Sequence, residues 1–219
     1  MQQRPFRDRS EAGRVLAARL TRYADRPDVV VLALPRGGVP VAYEVAHALA
    51  APLDLFLVRK LGVPGHEELA MGAVASGGMR VLNEAVVWDL RIPDSVIDAV
   101  ATWQEQELKR RERLYRGDRP PPDVRGRTVI LVDDGLATGA TMLAAINALR
   151  QHHPARIVVA VPAGARETCE QLRAQVDEVI CAVTPEPFAA VGLCYEDFAQ
   201  TTDEQVRELL VRRQASHAA

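Results

Sequence analysis

The chain has 219 residues, 48% of them apolar and 26% charged, with 14 Gly, 14 Pro and a formal charge of -2. These values suit one soluble globular domain and exclude collagen, coiled coil and disordered tail. A domain of this length buries roughly 70% of the surface its unfolded chain exposes, so neither a disulfide staple nor a structural metal is needed, and the near-neutral charge removes the global case for a nucleic-acid coat or an anionic membrane.

Residues 1–10 carry three arginines and no apolar run, so no secretory signal is expected. Ser10 can cap a helix whose apolar positions Val15, Leu16 and Leu20 lie at helical spacing, and 25–28, with Pro27, punctuates. A strand is predicted over 29–34, apolar at consecutive positions as in a parallel sheet covered on both faces. Similar runs recur at 53–58, 128–132, 157–161 and 179–183, with helical patterns at 39–50, 95–115, 138–151 and 166–174. Strand and helix in alternation predict an open, mainly parallel α/β sheet flanked by helices, in a single domain over 1–219.

Three segments interrupt the alternation. Residues 61–79 hold Gly62, Gly65, Gly72, Gly77 and Gly78 with Pro64, a composition for a flexible lid; the plainer alternative is a surface loop around one short strand at 71–75. Pro120, Pro121 and Pro122 stiffen the connector over 116–127. Residues 184–202 hold Phe188, Tyr195 and Phe198, an aromatic concentration that predicts a small hood over a pocket. Residues 109–127 carry eight Lys or Arg, read first as a solvated face and second as a local nucleic-acid patch. Cys169, Cys181 and Cys194 form no CxxC pair, which predicts buried thiols, no zinc site and a reducing compartment. The longest stretch free of charge, 135–149, is shorter than the roughly 18 residues of a membrane span, so a cytoplasmic location and no membrane partner are expected.

Chemistry concentrates in 129–141, VILVDDGLATGAT. Asp133 and Asp134 follow a strand directly, and ligands in open parallel sheets bind at the carboxyl ends of strands. Gly135 to Gly139 then open a helix whose first N–H groups favour an anion such as phosphate, with Thr138 and Thr141 as hydroxyl donors or caps. A P-loop is excluded because Ala140 rather than lysine follows Gly139, and GxGxxG is absent. Paired carboxylates before a phosphate turn suit a diol next to a phosphate, the layout of a ribose 5-phosphate.

This stretch resembles the phosphoribosyl pyrophosphate (PRPP) signature of the type I phosphoribosyltransferases. Leu34-Pro35-Arg36-Gly37-Gly38 is similar to that family's pyrophosphate loop, Val58-Arg59-Lys60 to the basic residues before its flexible loop, and 188–198 to the hood of purine-type members. The resemblance implies Mg²⁺-dependent transfer of the phosphoribosyl group to a small nitrogenous acceptor, a purine- or pyrimidine-like base, in nucleotide salvage. It implies that Asp133 and Asp134 bind the ribose hydroxyls and, indirectly, the metal. It further implies that Gly135, Leu136, Ala137, Thr138, Gly139 and Thr141 wrap the 5-phosphate, and that Arg36, Gly37 and Gly38 take the pyrophosphate. By the same resemblance Lys60 assists the leaving group, Phe188, Val191 and Tyr195 form the acceptor side, Glu196 is a secondary metal-side acid, and a homodimer is the family habit.

Each residue also has a plain structural role open to it: Asp133 and Asp134 as a strand-end turn, Arg36 and Lys60 as surface ion-pair partners, Phe188 and Tyr195 as hood packing. Two other functions stay in view. One is a regulator that senses PRPP and binds nucleic acid through the basic run; the other is a hydrolase of a related sugar phosphate.

Overall fold

A computed structural model describes residues 4–217. In chain order its elements are helix α1 (Arg9–Ala17), strand β1 (Val29–Ala33), helix α2 (Gly38–Ala48) and strands β2 (Leu53–Leu55), β3 (Val58–Val63), β4 (His66–Ala75) and β5 (Met79–Leu82). Helices α3 (Glu84–Asp89) and α4 (Asp94–Arg116), strand β6 (Thr128–Val132), helix α5 (Ala140–Arg150) and strand β7 (Arg156–Ala163) follow. Helix α6 (Arg166–Arg173), strand β8 (Glu178–Val183) and helix α7 (Asp203–His217) complete the order. Where the composition predicts one domain, the chain divides into two compact units: the first runs to Leu55 and takes in Asp123–Gly139 and everything from His153 onward, and the second comprises Phe56–Pro122 and Ala140–His152.

The first unit holds a five-stranded sheet in the order β2-β1-β6-β7-β8, parallel at every pairing. Strands β1 and β6 are buried at all positions, as uninterrupted apolar runs require when both faces of a sheet are covered. They pair in register from Val29 with Thr128 to Ala33 with Val132, so their carboxyl ends finish level.

Helix α1 begins two residues earlier than the sequence pattern suggests. Asp8, not Ser10, is its N-cap, with an extended backbone and a carboxylate that accepts from the Glu11 N–H at 2.7 Å. Asp8→Ala should lower stability by about 1 kcal/mol, read as a lower urea midpoint at unchanged slope. Helix α7, absent from the sequence reading, is anchored by Arg213, whose buried guanidinium donates twice to the Ala51 carbonyl, at 2.9 and 3.1 Å.

The second unit is an antiparallel sheet, β3-β4-β5, against which α3, α4 and α5 pack. The lid expected over 61–79 is therefore mostly strand. Its glycines serve close backbone approach: the β3–β4 ladder shifts register on both sides of Gly62, and a Cβ there would lie 2.7 Å from the Glu67 carbonyl oxygen. The strand expected over 53–58 is likewise two strands in different sheets, β2 and β3, because an apolar run carries no mark of where the chain changes partner.

The cysteine expectation is corrected. Cys169 of α6 and Cys181 of β8 form a disulfide, while Cys194 is a buried free thiol. Twelve residues of separation conceal that α6 folds back onto β8. Among the described residues no helix is long and apolar enough to cross a membrane.

Candidate active site

Strands β1 and β6 are adjacent, yet β1 continues to β2 on one side and β6 to β7 on the other. In open parallel sheets this switch point leaves a crevice outside the strand ends, where ligands bind. The Leu34 N–H donates to the Val132 carbonyl at 2.9 Å, so the two following loops depart side by side. The first, Pro35-Arg36-Gly37-Gly38, contains a cis peptide between Pro35 and Arg36 and closes with the Gly38 N–H on the Leu34 carbonyl at 3.1 Å. A Cβ on Gly37 would collide with the Asp134 carboxylate, and one on Gly38 would lie 2.8 Å from the Val132 carbonyl oxygen. The paired glycines are thus required by the aspartates opposite them.

Asp133 accepts from the Asp134 N–H at 2.8 Å through Oδ1. Two residues hold Asp134. Arg9 donates from Nε at 2.9 Å and lies 2.8 Å away through Nη2, while the Tyr195 hydroxyl donates to the Asp134 backbone carbonyl. The Arg9 guanidinium is itself fixed by donation to the Ala199 carbonyl at 2.7 Å and by the Phe198 ring, 4.0 Å below it. Burial, together with the charge of Asp134, pushes Asp133 well above the ordinary carboxylate range. Burial also raises Asp134, against the lowering pull of Arg9.

A carboxyl raised in the folded state takes up a proton on folding. Its charged form therefore costs stability, the loss growing as pH rises from the unfolded value through the folded one. Asp133→Asn keeps the acceptor for the Asp134 N–H and removes the buried charge. It should raise the melting temperature at pH 8, with the advantage shrinking toward pH 4; a scan of melting temperature against pH reads this directly.

The second loop is pinned at Leu136, whose N–H donates to the Ala163 carbonyl and whose carbonyl accepts from the Ala165 N–H, both at 2.9 Å. The Thr168 hydroxyl donates to the Ala137 carbonyl at 2.7 Å. Gly139 takes φ +73°, and a Cβ there would lie 2.7 Å from the Thr168 methyl. Among the described residues the amides of Gly135, Ala137 and Gly139 find no acceptor in the chain. Such a row of unspent donors is a cradle for an anion.

Arg36 is one-third exposed, its guanidinium 3.6 Å from Asp203 in the first turn of α7. Thr138 precedes α5, and Thr141 lies within its first turn. Lys60 lies on β3, 4.0 Å from Glu68, and Lys60 and Thr141 both line a cavity of the second unit. In the hood, Val191 packs against Gly135 at a distance that leaves no room for a Cβ there. Phe188 borders an apolar cavity of about 140 Å³ shared with Phe6, Pro187 and Leu193. Tyr195 is buried between Phe6 and Phe198, with ring centroids 5.7 and 5.0 Å away, and burial raises its phenol well above the usual range. Its hydroxyl donates to the Asp134 carbonyl and its ring is covered by Phe6 and Phe198. Glu196 lies at the surface, 3.5 Å from Arg4. In the basic run, Arg110 and Arg111 both donate to Glu107, as a solvated helix face would have them.

Arg9 was not among the residues the sequence singles out. It stands 125 positions from Asp134, and no local pattern announces the pairing.

Unpaired amides, paired carboxylates and a glycine loop at one switch point define an α/β domain suited to a phosphorylated, hydroxyl-bearing ligand. The chain belongs to the phosphoribosyl transferase domain family, whose model matches residues 8–197. It is 47% identical over 207 residues to "Putative phosphoribosyl transferase Rv0571c" of Mycobacterium tuberculosis, a match covering 94% of this chain and 46% of that protein. The chain thus spans about half the length of these curated relatives. The crystal structure of TT1426 from Thermus thermophilus aligns with TM-score 0.85 and 46% identity over 96% of this chain and 99% of that one. A "Bifunctional protein PyrR" of Roseiflexus is 36% identical over 124 residues, 55% of this chain and 62% of that protein.

Proposed function

We infer that the chain transfers the phosphoribosyl group of PRPP to a nitrogenous acceptor and releases pyrophosphate, with Mg²⁺. The carrying observation is the unspent amide row of Gly135, Ala137 and Gly139, directly after the Asp133–Asp134 pair. In this reading those amides hold the 5-phosphate, and the two carboxylates accept from the ribose hydroxyls. Arg36 and the Gly37-Gly38 backbone take the pyrophosphate. The C1–O bond to pyrophosphate breaks as the acceptor nitrogen bonds to C1, and the positive charge developing on the sugar is stabilised by the nearby carboxylates. No covalent intermediate with the protein is needed.

Among the described residues no cluster of three or more His, Cys, Asp or Glu side chains could cage a metal. Two carboxylates suffice for Mg²⁺, which keeps waters and takes most of its protein ligation from one or two carboxylates beside substrate phosphates. Asp133 and Asp134 would face it through the donor's hydroxyls. When bound, it neutralises charge on the departing pyrophosphate.

Pyrophosphate release from PRPP and Mg²⁺ across a panel of bases and amines tests the reading. Asp133→Asn combined with Asp134→Asn should reduce release by about 10³-fold while the fold is retained by circular dichroism. Undiminished release from a folded double variant refutes the assigned roles.

A further inference from the structure

The hood cavity beside Phe188, about 140 Å³, is smaller than the roughly 300 Å³ at which small-molecule pockets begin. The second unit holds a larger one, about 690 Å³, between β3, the β3–β4 turn, α4 and the start of α5. One wall is a stripe of α4: Ala99, Val100, Trp103 and Gln104, spaced to share a helix face. Trp103 presents its indole to solvent, 61% exposed. The Arg59 guanidinium lies 5.8 Å from that ring's centroid, and its Nε donates to Gln104 Oε1. The Gln104 amide nitrogen remains as a donor on the same wall.

Charge favours an anion here. Arg59 feels Arg110 and Arg111, and the one carboxylate among them, Glu107, is shared by both of those arginines. The acids of the opposite wall, Glu67 and Glu68, are both exposed, so solvent screens their charge, whereas Arg59 is half-buried. Glu67 accepts from the Gly65 N–H at 3.1 Å, while Glu68 is fully exposed at the 4.0 Å limit of a pair with Lys60. An accessible indole beside a half-buried guanidinium offers a stacking face and a charged fork together.

We propose that this cavity binds a planar heteroaromatic anion, its ring on Trp103 and its acidic group on Arg59 with Lys60. A nucleoside monophosphate and a free heteroaromatic carboxylate share that chemistry. The proposal concerns binding in the absence of PRPP, so it stands or falls apart from the transfer reaction.

The test uses the full chain carrying Trp88→Phe, which leaves Trp103 as its sole tryptophan. Its fluorescence is titrated with AMP and with orotate, and with adenosine and ribose 5-phosphate as ring-only and anion-only probes. Saturable quenching by AMP, orotate or both, with the two single-feature probes weaker by about tenfold or more, is the expected result; whichever acid binds identifies the source. Arg59→Ala should weaken binding about tenfold, and Trp103→Leu should weaken it comparably by calorimetry, both with unchanged circular dichroism. Absence of saturable quenching by either acid up to ~5 mM overturns the proposal. So does equal binding of ribose 5-phosphate, or binding that Arg59→Ala leaves intact, including binding that only Asp134→Asn removes.

Discussion

Gly37→Ala should reduce pyrophosphate release by at least about 10²-fold, the loss that follows when a substrate-positioning group is displaced by roughly 1 Å. The added methyl falls on the Asp134 carboxylate, which cannot retreat because Arg9 grips its Oδ2 and Tyr195 holds its backbone carbonyl. One of the two must move. If Asp134 moves, the ribose hydroxyls of the proposed donor lose an acceptor under the proposed roles; if the loop moves, the Arg36 backbone leaves its place beside β6. Overpacking of this kind also costs about 1–3 kcal/mol of stability, so activity is compared well below the variant's own melting temperature. Activity near that of the parent would show that the loops tolerate separation and that Asp134 is not positioned as argued.

Arg9→Ala should have the second large effect. The guanidinium and carboxylate are 11% and 16% exposed, and removing one partner of a nearly buried pair leaves an uncompensated charge, at a cost of about 3 kcal/mol. The direction with pH distinguishes this from simple loss of packing. Arg9 lowers the Asp134 pKa against the raising effect of burial, so without it Asp134 rises further. At acidic pH the protonated carboxyl no longer needs a partner, and the destabilisation should shrink; at pH 8 it should be full. If Asp134 acts as proposed, through its ionised form, the acid limb of kcat/KM should move to higher pH for the same reason. Arg9→Lys should restore part of the stability, because a point charge replaces the fork without its second donor. A loss equal at pH 5 and pH 8 would assign Arg9 to packing against Phe198 alone.

The parallel sheet was legible because its strands are chemically uniform: the predicted strand over 128–132 matches β6 residue for residue, and both β1 and β6 are wholly buried. The candidate site was legible where it is contiguous, in Asp133 to Gly139 and in Arg36 to Gly38. Glycine was the residue most open to misreading. Gly37 and Gly38 mark close approach to a carboxylate and a carbonyl, while Gly62 and Gly72 mark strand crossings in a sheet that composition suggests as loop. All four satisfy the same steric demand, and only the neighbouring chain tells which surface imposes it.

Local order along the chain thus settles which segments are strands covered on both faces, which turn follows β6 and which donors and acceptors that turn carries, since these depend on residues within a few positions of one another. Contacts between distant segments decided the rest: the Arg9 clamp on Asp134, the Tyr195 hydroxyl on its carbonyl, the Cys169–Cys181 bond, and the gathering of Trp103 with Arg59. Such pairings leave no periodic trace, because their partners meet only after the chain has folded and burial has made each charge and donor answer to whatever lies beside it.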